Sequence, residues 1–296
     1  MTDARTLTFD LRGKWYGRFG SAPCPVCQPE GQKGQKGQNA LTLADGGKGL
    51  LLNCKRLGCT FRDILTAAGI APGTITPPDP ARLAQREAER RADAAKRTKQ
   101  ARAIWQEAQP IAGTLAETYL RGRGITCLLP ATLRFHPEAW HGATARRLPA
   151  LVALVNGGCG FAVHRTYLRP DGSGKATVDP PKAMLGAVAG GTVRLTDGPG
   201  SLVVAEGIET ALSLACGLLR APATIWAALS TSGIRGLHLP PQPGRLTIAP
   251  DGDDPGRAAA HALAERAHAL GWAVSLLPAP EGRDWNDILQ MKGQSA

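Results

Sequence analysis

The chain has 296 residues, 43% of them hydrophobic and 20% charged, so it can bury a substantial core and wholesale disorder is excluded. Thirty-five Lys and Arg against 24 Asp and Glu leave a net charge of +11, and no apolar run reaches the ~18 residues of a membrane span. The length predicts two domains, or three, at roughly 100–200 residues each. The opening MTDARTLTFDLRGKW has no apolar stretch and no small-residue cleavage site, so a cytoplasmic location and no membrane partner are expected. The charge is one-sided. Residues 1–150 hold 23 Lys and Arg against 12 Asp and Glu, whereas residues 151–296 hold 12 of each. A basic front half points to a polyanionic partner, nucleic acid first.

Two cysteine pairs come first in chain order, Cys24-Pro-Val-Cys27 and Cys54-Lys-Arg-Leu-Gly-Cys59. Short-spaced pairs far apart in sequence can converge on one tetrahedral Zn²⁺, and in a cytoplasmic protein such pairs signal metal more often than disulfide. Ala40–Leu43 and Gly49–Asn53 read as strands leading into the second pair, which makes the piece a zinc ribbon. A redox Cys-x-x-Cys is the rival reading. Between the pairs, GQKGQKGQ (31–38) reads as a basic loop. Cys127, Cys159 and Cys216 have no partners at ligand spacing and are expected to be buried thiols.

The Pro-rich stretch 71–80 cannot continue a helix, whereas Ala81 to Ala108 lacks Gly and Pro and reads as one long basic helix, mostly solvated. Leu148–Val155 and Gly160–Leu168 read as strands of a hairpin. Apolar strands then alternate with helices: strands at 201–205, 224–229, 245–250 and 273–277, helices at 209–219 and 255–270. That alternation predicts a parallel α/β sheet, and ligands of such sheets bind beyond the C-terminal strand ends.

Acids stand at those ends. Glu206-Gly207 follows the first strand, Asp251-Gly252-Asp253-Asp254 the third, and Asp284-Trp285-Asn286-Asp287 the fourth. Clustered carboxylates repel one another unless a cation neutralises them, and hard oxygen ligands favour Mg²⁺ or Mn²⁺. The run PDGSGKAT (170–177) carries Gly-Lys but lacks the first Gly and the Ser/Thr of a phosphate-binding P-loop.

V-A-E206-G, D251-G-D253-D-P-G-R-A-A-A and G282-R-D284 together resemble the Toprim domain of topoisomerases, bacterial primases and some nucleases, over roughly residues 200–290. The order of zinc ribbon, basic middle and Toprim resembles bacterial-type DNA primases, the phage- and plasmid-like ones above all. G160-F-A-V-H-R165 and P181-K182 are similar to elements that precede the Toprim core in those enzymes. The resemblance implies an α/β fold with a Toprim-type parallel sheet, preceded by a mixed α+β subdomain and an N-terminal zinc ribbon. The expected division is 1–70 zinc ribbon, 71–110 linker and basic helix, 111–197 N-terminal part of the primase core, and 198–296 Toprim domain. It implies Glu206 as catalytic acid/base, Asp251 and Asp253 as catalytic metal ligands assisted by Asp284, and Arg165 and Lys182 as contacts to nucleotide phosphates or template. The family's acid four residues after the glutamate is Thr210 here, with Glu209 one place earlier.

The activity so implied is synthesis of short RNA primers on single-stranded DNA from nucleoside triphosphates. A structural Zn²⁺, catalytic Mg²⁺ or Mn²⁺ and a separate replicative helicase would accompany it, in a phage, plasmid or other mobile element. Two alternatives stand beside it. One is a Toprim-type nuclease that uses similar acids to cleave. The other is a non-catalytic zinc-ribbon adaptor, for which Thr210 speaks. A topoisomerase needs a nucleophilic tyrosine in a large further domain, and the chain has only Tyr16, Tyr119 and Tyr167.

Overall fold

The structure is a computed structural model and describes residues 3–29, 39–47, 49–71 and 80–294. The expected basic loop at 31–38 and most of the Pro-rich stretch lie outside the described residues. The chain divides into two compact units, Met1–Ala92 and Asp93–Ala296. No helix among the described residues is long and apolar enough to cross a membrane.

The first unit contains α1 (Ala4–Asp10), β1 (Lys14–Trp15), β2 (Gly20–Ala22), β3 (Leu41–Gly46), β4 (Gly49–Cys54) and α2 (Phe61–Ala67), and α3 (Pro80–Glu107) begins in it. β1 to β4 form an antiparallel sheet in chain order. Both short helices start at a side-chain cap. The Asp3 carboxylate accepts from the Thr6 N–H at 2.7 Å, and the Thr60 hydroxyl accepts from the Asp63 N–H at 3.2 Å. Leu7, Leu41, Leu43 and Ile64 form the buried centre.

The second unit holds two five-stranded sheets. The first is antiparallel: β5 (Gln109–Pro110), β6 (Leu133–His141), β7 (Arg146–Val155), β8 (Ala162–Tyr167) and β9 (Lys182–Gly186), with α4 (Leu115–Gly122) between β5 and β6. The hairpin expected from residues 148–168 is β7–β8, and every residue of β8 is buried. Val163 and Tyr167 on one face pack with Ala101, Ile104 and Trp105, so the C-terminal end of the long basic helix is covered. Ala162 and Leu168 on the other face join the larger core.

That larger core is shared with the second sheet, which follows as β10 (Val193–Thr196), β11 (Leu202–Ala205), α5 (Ile208–Ser213), β12 (Thr224–Ala227), α6 (Thr231–Gly236), β13 (Arg245–Ala249), α7 (Asp254–Ala269), β14 (Ala273–Leu276) and α8 (Trp285–Gln294). Its order is β10-β12-β11-β13-β14. The four strands read from the sequence are parallel, and β10 adds antiparallel to β12. The expected boundary at 197 therefore falls just after a strand that hydrogen-bonds into the following sheet. The helix expected over 209–219 is shorter, because α5 ends at Ser213 and a π-turn spans Leu214–Leu218. Cys216 leaves helical geometry there, and Gly217 takes φ +94°, a left-handed conformation that glycine adopts without steric cost. Cys127 and Cys216 meet across this turn, the Cys127 N–H donating to the Cys216 Sγ at 3.3 Å. Cys159 is exposed rather than buried.

Ile248 sits on β13 with no exposed surface. Ile248→Ala is expected to lower the stability of the second unit by about 2–5 kcal/mol, through lost burial and the cavity left behind. Urea unfolding followed by circular dichroism measures it.

Candidate functional site

In the first unit the sheet brings the two cysteine pairs together. Cys24 and Cys27 lie on the turn after β2, Cys54 ends β4, and Cys59 precedes α2. All four sulfurs lie within 4.8 Å of one another, and those of Cys27 and Cys54 are 3.6 Å apart. A tetrahedral S₄ site with bonds of about 2.3 Å spaces its sulfurs by about 3.8 Å, so the cluster fits a zinc ribbon. Among the described residues no other group of three or more His, Cys, Asp or Glu converges so tightly. Burial raises the Cys54 thiol, but the backbone N–H groups of Leu57, Cys59 and Arg56 outweigh it and bring it down to about 6. Burial and hydrogen bonds to Cys54 and Cys24 push Cys27 up to about 12. Thiols that share protons in this way are ones whose protons a metal cation can replace.

In the second unit the parallel register sets Ala205, Ala227 and Ala249 side by side at the C-terminal ends of β11, β12 and β13. Glu206 is one residue past that line and Asp251 two, so their carboxylates share one end of the sheet. Glu206 is pushed up to about 7 by burial and then by the charges of Asp251 and Asp253. Asp251 is pushed up to about 6 by burial and then by Asp284 and Asp253. Gly252 makes the turn between the two aspartates possible, since a Cβ there would strike the backbone carbonyls of Pro280 and Arg283.

The remaining acids divide between cleft and caps. Asp253 caps α7, its Oδ1 accepting from the Gly256 N–H at 2.7 Å. Asp284 caps α8 in a reciprocal box: the Asp287 N–H donates to Asp284 Oδ1 at 2.8 Å and the Asp284 N–H to Asp287 Oδ2 at 3.1 Å. Asp287 thus serves the helix start, and Asp254 is an exposed partner of Arg257. The Thr210 hydroxyl stands where the family pattern has an acid and donates to Asp251 Oδ1 at 3.4 Å.

Cations approach Glu209, three residues past Glu206, from β9 and from the segment after β8. Lys175 Nζ lies 3.0 Å from Glu209 Oε1 and Lys182 Nζ 4.0 Å from Glu209 Oε2, while the Tyr119 hydroxyl donates to Oε1 at 2.7 Å. Burial opposes ionisation of Glu209, but Lys182, Lys175 and Tyr119 hold it well below the usual carboxylate range. Lys182 also favours ionisation of Glu206 and Asp251. His164, buried on the same face, is pushed down to about 4 by burial and then by Lys182, so it is neutral.

Arg165 is the expected site residue that does not reach the cleft. Directly opposed residues of an antiparallel pair share a face and successive residues alternate. Arg165 opposes Ala183, and Lys182 opposes Thr166, so the two side chains leave β8 and β9 on opposite faces. Arg165 is buried beside Tyr167, and its Nη1 donates to the Trp140 carbonyl at 2.9 Å. Glu209 stood out in the sequence only as an acid one place before Thr210, and Lys175, Tyr119 and His164 had no part in the expected site. Lys175 lies in the run rejected as a P-loop, and only the β8–β9 pairing and the placement of α4 reveal that these residues meet.

Residues 201–295 match the family model of the Toprim domain. The C-terminal region is a Toprim domain. Residues 95–195, upstream of the Toprim region, match a domain of unknown function, DUF7146. No curated protein matches the chain. Among solved structures the chain is similar to a DNA primase domain from Pseudomonas aeruginosa, with 20% identity, 66% of this chain and 75% of that one covered, and a TM-score of 0.41. It is similar also to the RNA polymerase domain of Mycobacterium tuberculosis primase DnaG, at 17% identity, 68% and 80% coverage and TM-score 0.39. The Aquifex aeolicus primase structure, comprising zinc-binding and RNA polymerase domains, matches at 12% identity over 100% of this chain and 84% of that one, with TM-score 0.41.

The Toprim carboxylates fit a divalent cation by their chemistry, since neighbouring acids help to raise Glu206 and Asp251 and a cation would relieve both. Glu206 and Asp251 are raised in the folded chain, so between the ordinary carboxylate range and about pH 7 the folded state holds protons that the unfolded chain has released. Without divalent cation, stability is expected to fall as pH rises through that window. Mg²⁺ selects the ionised form, so it should raise the unfolding midpoint more at about pH 8 than at about pH 5. Asp251→Asn should raise the metal-free midpoint at about pH 8 and blunt the response to Mg²⁺, as scanning calorimetry with and without chelator would show.

Proposed function

We propose that the protein is a DNA primase that joins nucleoside triphosphates into short RNA primers on single-stranded DNA. The observation that carries this reading is the parallel register that sets Glu206 and Asp251 at one end of the sheet, where Lys182 is among the charges that bear on both. In the reaction, a 3′-hydroxyl attacks an α-phosphate in line and pyrophosphate leaves. Mg²⁺ or Mn²⁺ held by Asp251 and Asp253, with Asp284 near, would supply Lewis acidity for both oxygens. Glu206, raised in the metal-free site by burial and by Asp251 and Asp253, would be ionised once cations bind those aspartates and would then take the proton of the attacking hydroxyl. Lys182 and Lys175 orient the triphosphate by charge-assisted hydrogen bonds. Arg165, on the other face of its sheet, leaves that role to them.

The Cys24, Cys27, Cys54 and Cys59 cluster is the structural Zn²⁺ site, and the unit it organises handles the template. Its surface supports this. Tyr16 and Phe19 stack in the open with ring centroids 5.3 Å apart, Lys14 lies 5.5 Å from the Tyr16 ring, and Arg5 lies 6.0 Å from the exposed Phe9 ring. Exposed aromatics interleaved with cations are what single-stranded nucleic acid stacks on. The division into ribbon (1–70), linker and helix (71–110), primase core (111–197) and Toprim domain (198–296) belongs to the same proposal. So do a cytoplasmic location, a separate helicase and a role in replicating a mobile element.

Single-stranded DNA, NTPs and Mg²⁺ or Mn²⁺ with the purified chain are expected to give short oligoribonucleotides. Asp251→Asn with Asp253→Asn should abolish them. No product on varied templates would overturn the reading, and nicking of the DNA would transfer it to a nuclease. Tyr16→Ala with Phe19→Ala should weaken template binding by roughly tenfold or more, at about 1–3 kcal/mol per stacked base, without changing the fold seen by circular dichroism.

A further inference from the structure

Glu209 is a carboxylate with 6% of its side chain exposed, and its partners come from three places in the chain. Tyr119 lies on α4, Lys175 in the segment after β8, and Lys182 on β9. Burying a carboxylate is costly, and the cost is met here by one hydroxyl and two ammonium groups. The lysines keep 30% and 40% of their side chains exposed, so each retains donors beyond those turned to Glu209. Thr210, one residue further along α5, points to Asp251 instead. One residue on a helix is a rotation of about 100°, so placing the acid at 209 aims it at the lysines rather than at the metal-binding aspartates.

We propose that Glu209, braced by Tyr119, is a positioning residue that fixes the Lys175 and Lys182 ammonium groups where they align the triphosphate of the incoming nucleotide. This rests on the primase reading given above. Glu209 touches neither metal nor nucleotide and acts through the two lysines. Its carboxylate removes one unit of positive charge from the cleft, so it does nothing for phosphate affinity as such. Its contribution is orientation, and a displacement of about 1 Å in a reacting group can cost 100-fold in rate.

Opposite effects on affinity and rate make this testable. Glu209→Gln keeps the shape and removes the charge that pins the lysines. ATP should bind the variant in unchanged stoichiometry and as tightly as the wild type or more so, by isothermal titration calorimetry. Primer synthesis should nevertheless lose roughly tenfold or more in kcat, without a rise in KM, and Glu209→Asp should recover part of it. A purely structural role would lower binding stoichiometry and rate together, and that result overturns the proposal. So does a kcat within about twofold of wild type. If Glu209→Gln does not fold, Tyr119→Phe keeps the packing and removes one brace; it should lower kcat several-fold with ATP binding intact, and an unchanged kcat overturns the proposal. An active wild type with a fully active Glu209→Gln sinks this inference alone, whereas a wild type that makes no primer removes the primase reading and this inference with it.

Discussion

Repulsion among carboxylates is the constraint on which the second unit depends. The parallel register sets three strand ends level, and level ends force Glu206 and Asp251 into one neighbourhood, with Asp253 and Asp284 close enough to be felt. Partial burial weakens the screening of Glu206 and Asp251 by water. Such an arrangement is destabilising for an empty fold and favourable for one that binds cations. The rest of the unit restrains it: Gly252 turns the chain between two carbonyls that leave no room for a side chain, and Asp253 and Asp284 are each tied to a helix start.

A second sheet supplies the opposite charge. The antiparallel strands of the middle region share a hydrophobic core with the Toprim sheet, through Leu133, Leu151 and Ala162 on one side and Val203, Ile208 and Ala249 on the other. That packing fixes where Lys175 and Lys182 emerge. Acids and lysines then belong to one compact unit, and a shared core sets their separation. The buried Asn286 strengthens the same joint, its Nδ2 donating at 2.9 Å to both the Arg123 carbonyl and the Ser213 hydroxyl.

The first unit follows a different logic. Its core is a few leucines and an isoleucine around a four-stranded sheet, small enough that a metal held by the four cysteines would contribute to the fold itself. The sheet brings two turns into register and the turns present four sulfurs.

Periodicity and spacing along the chain were enough to define the parallel sheet, the cysteine cluster and the acids at the strand ends. Each is a local pattern: apolar runs of strand length, Cys pairs on tight turns, acids one or two residues past a strand. The Toprim motifs were legible for the same reason. Pairing decided the rest. Arg165 and Lys182 look equivalent in the sequence, yet the β8–β9 register puts them on opposite faces, because alternation along a strand is a period-two property that cannot be referenced to a site until the partner strand is known. Glu209 reads as a misplaced acid until Tyr119, 90 residues earlier, is seen to donate to it. β10 reads as the end of the middle region until it pairs with β12. The sequence by itself determined which elements form and which residues carry charge or sulfur. Tertiary structure alone decided which charges meet, since that depends on contacts between segments tens of residues apart, where burial strengthens every interaction it brings together.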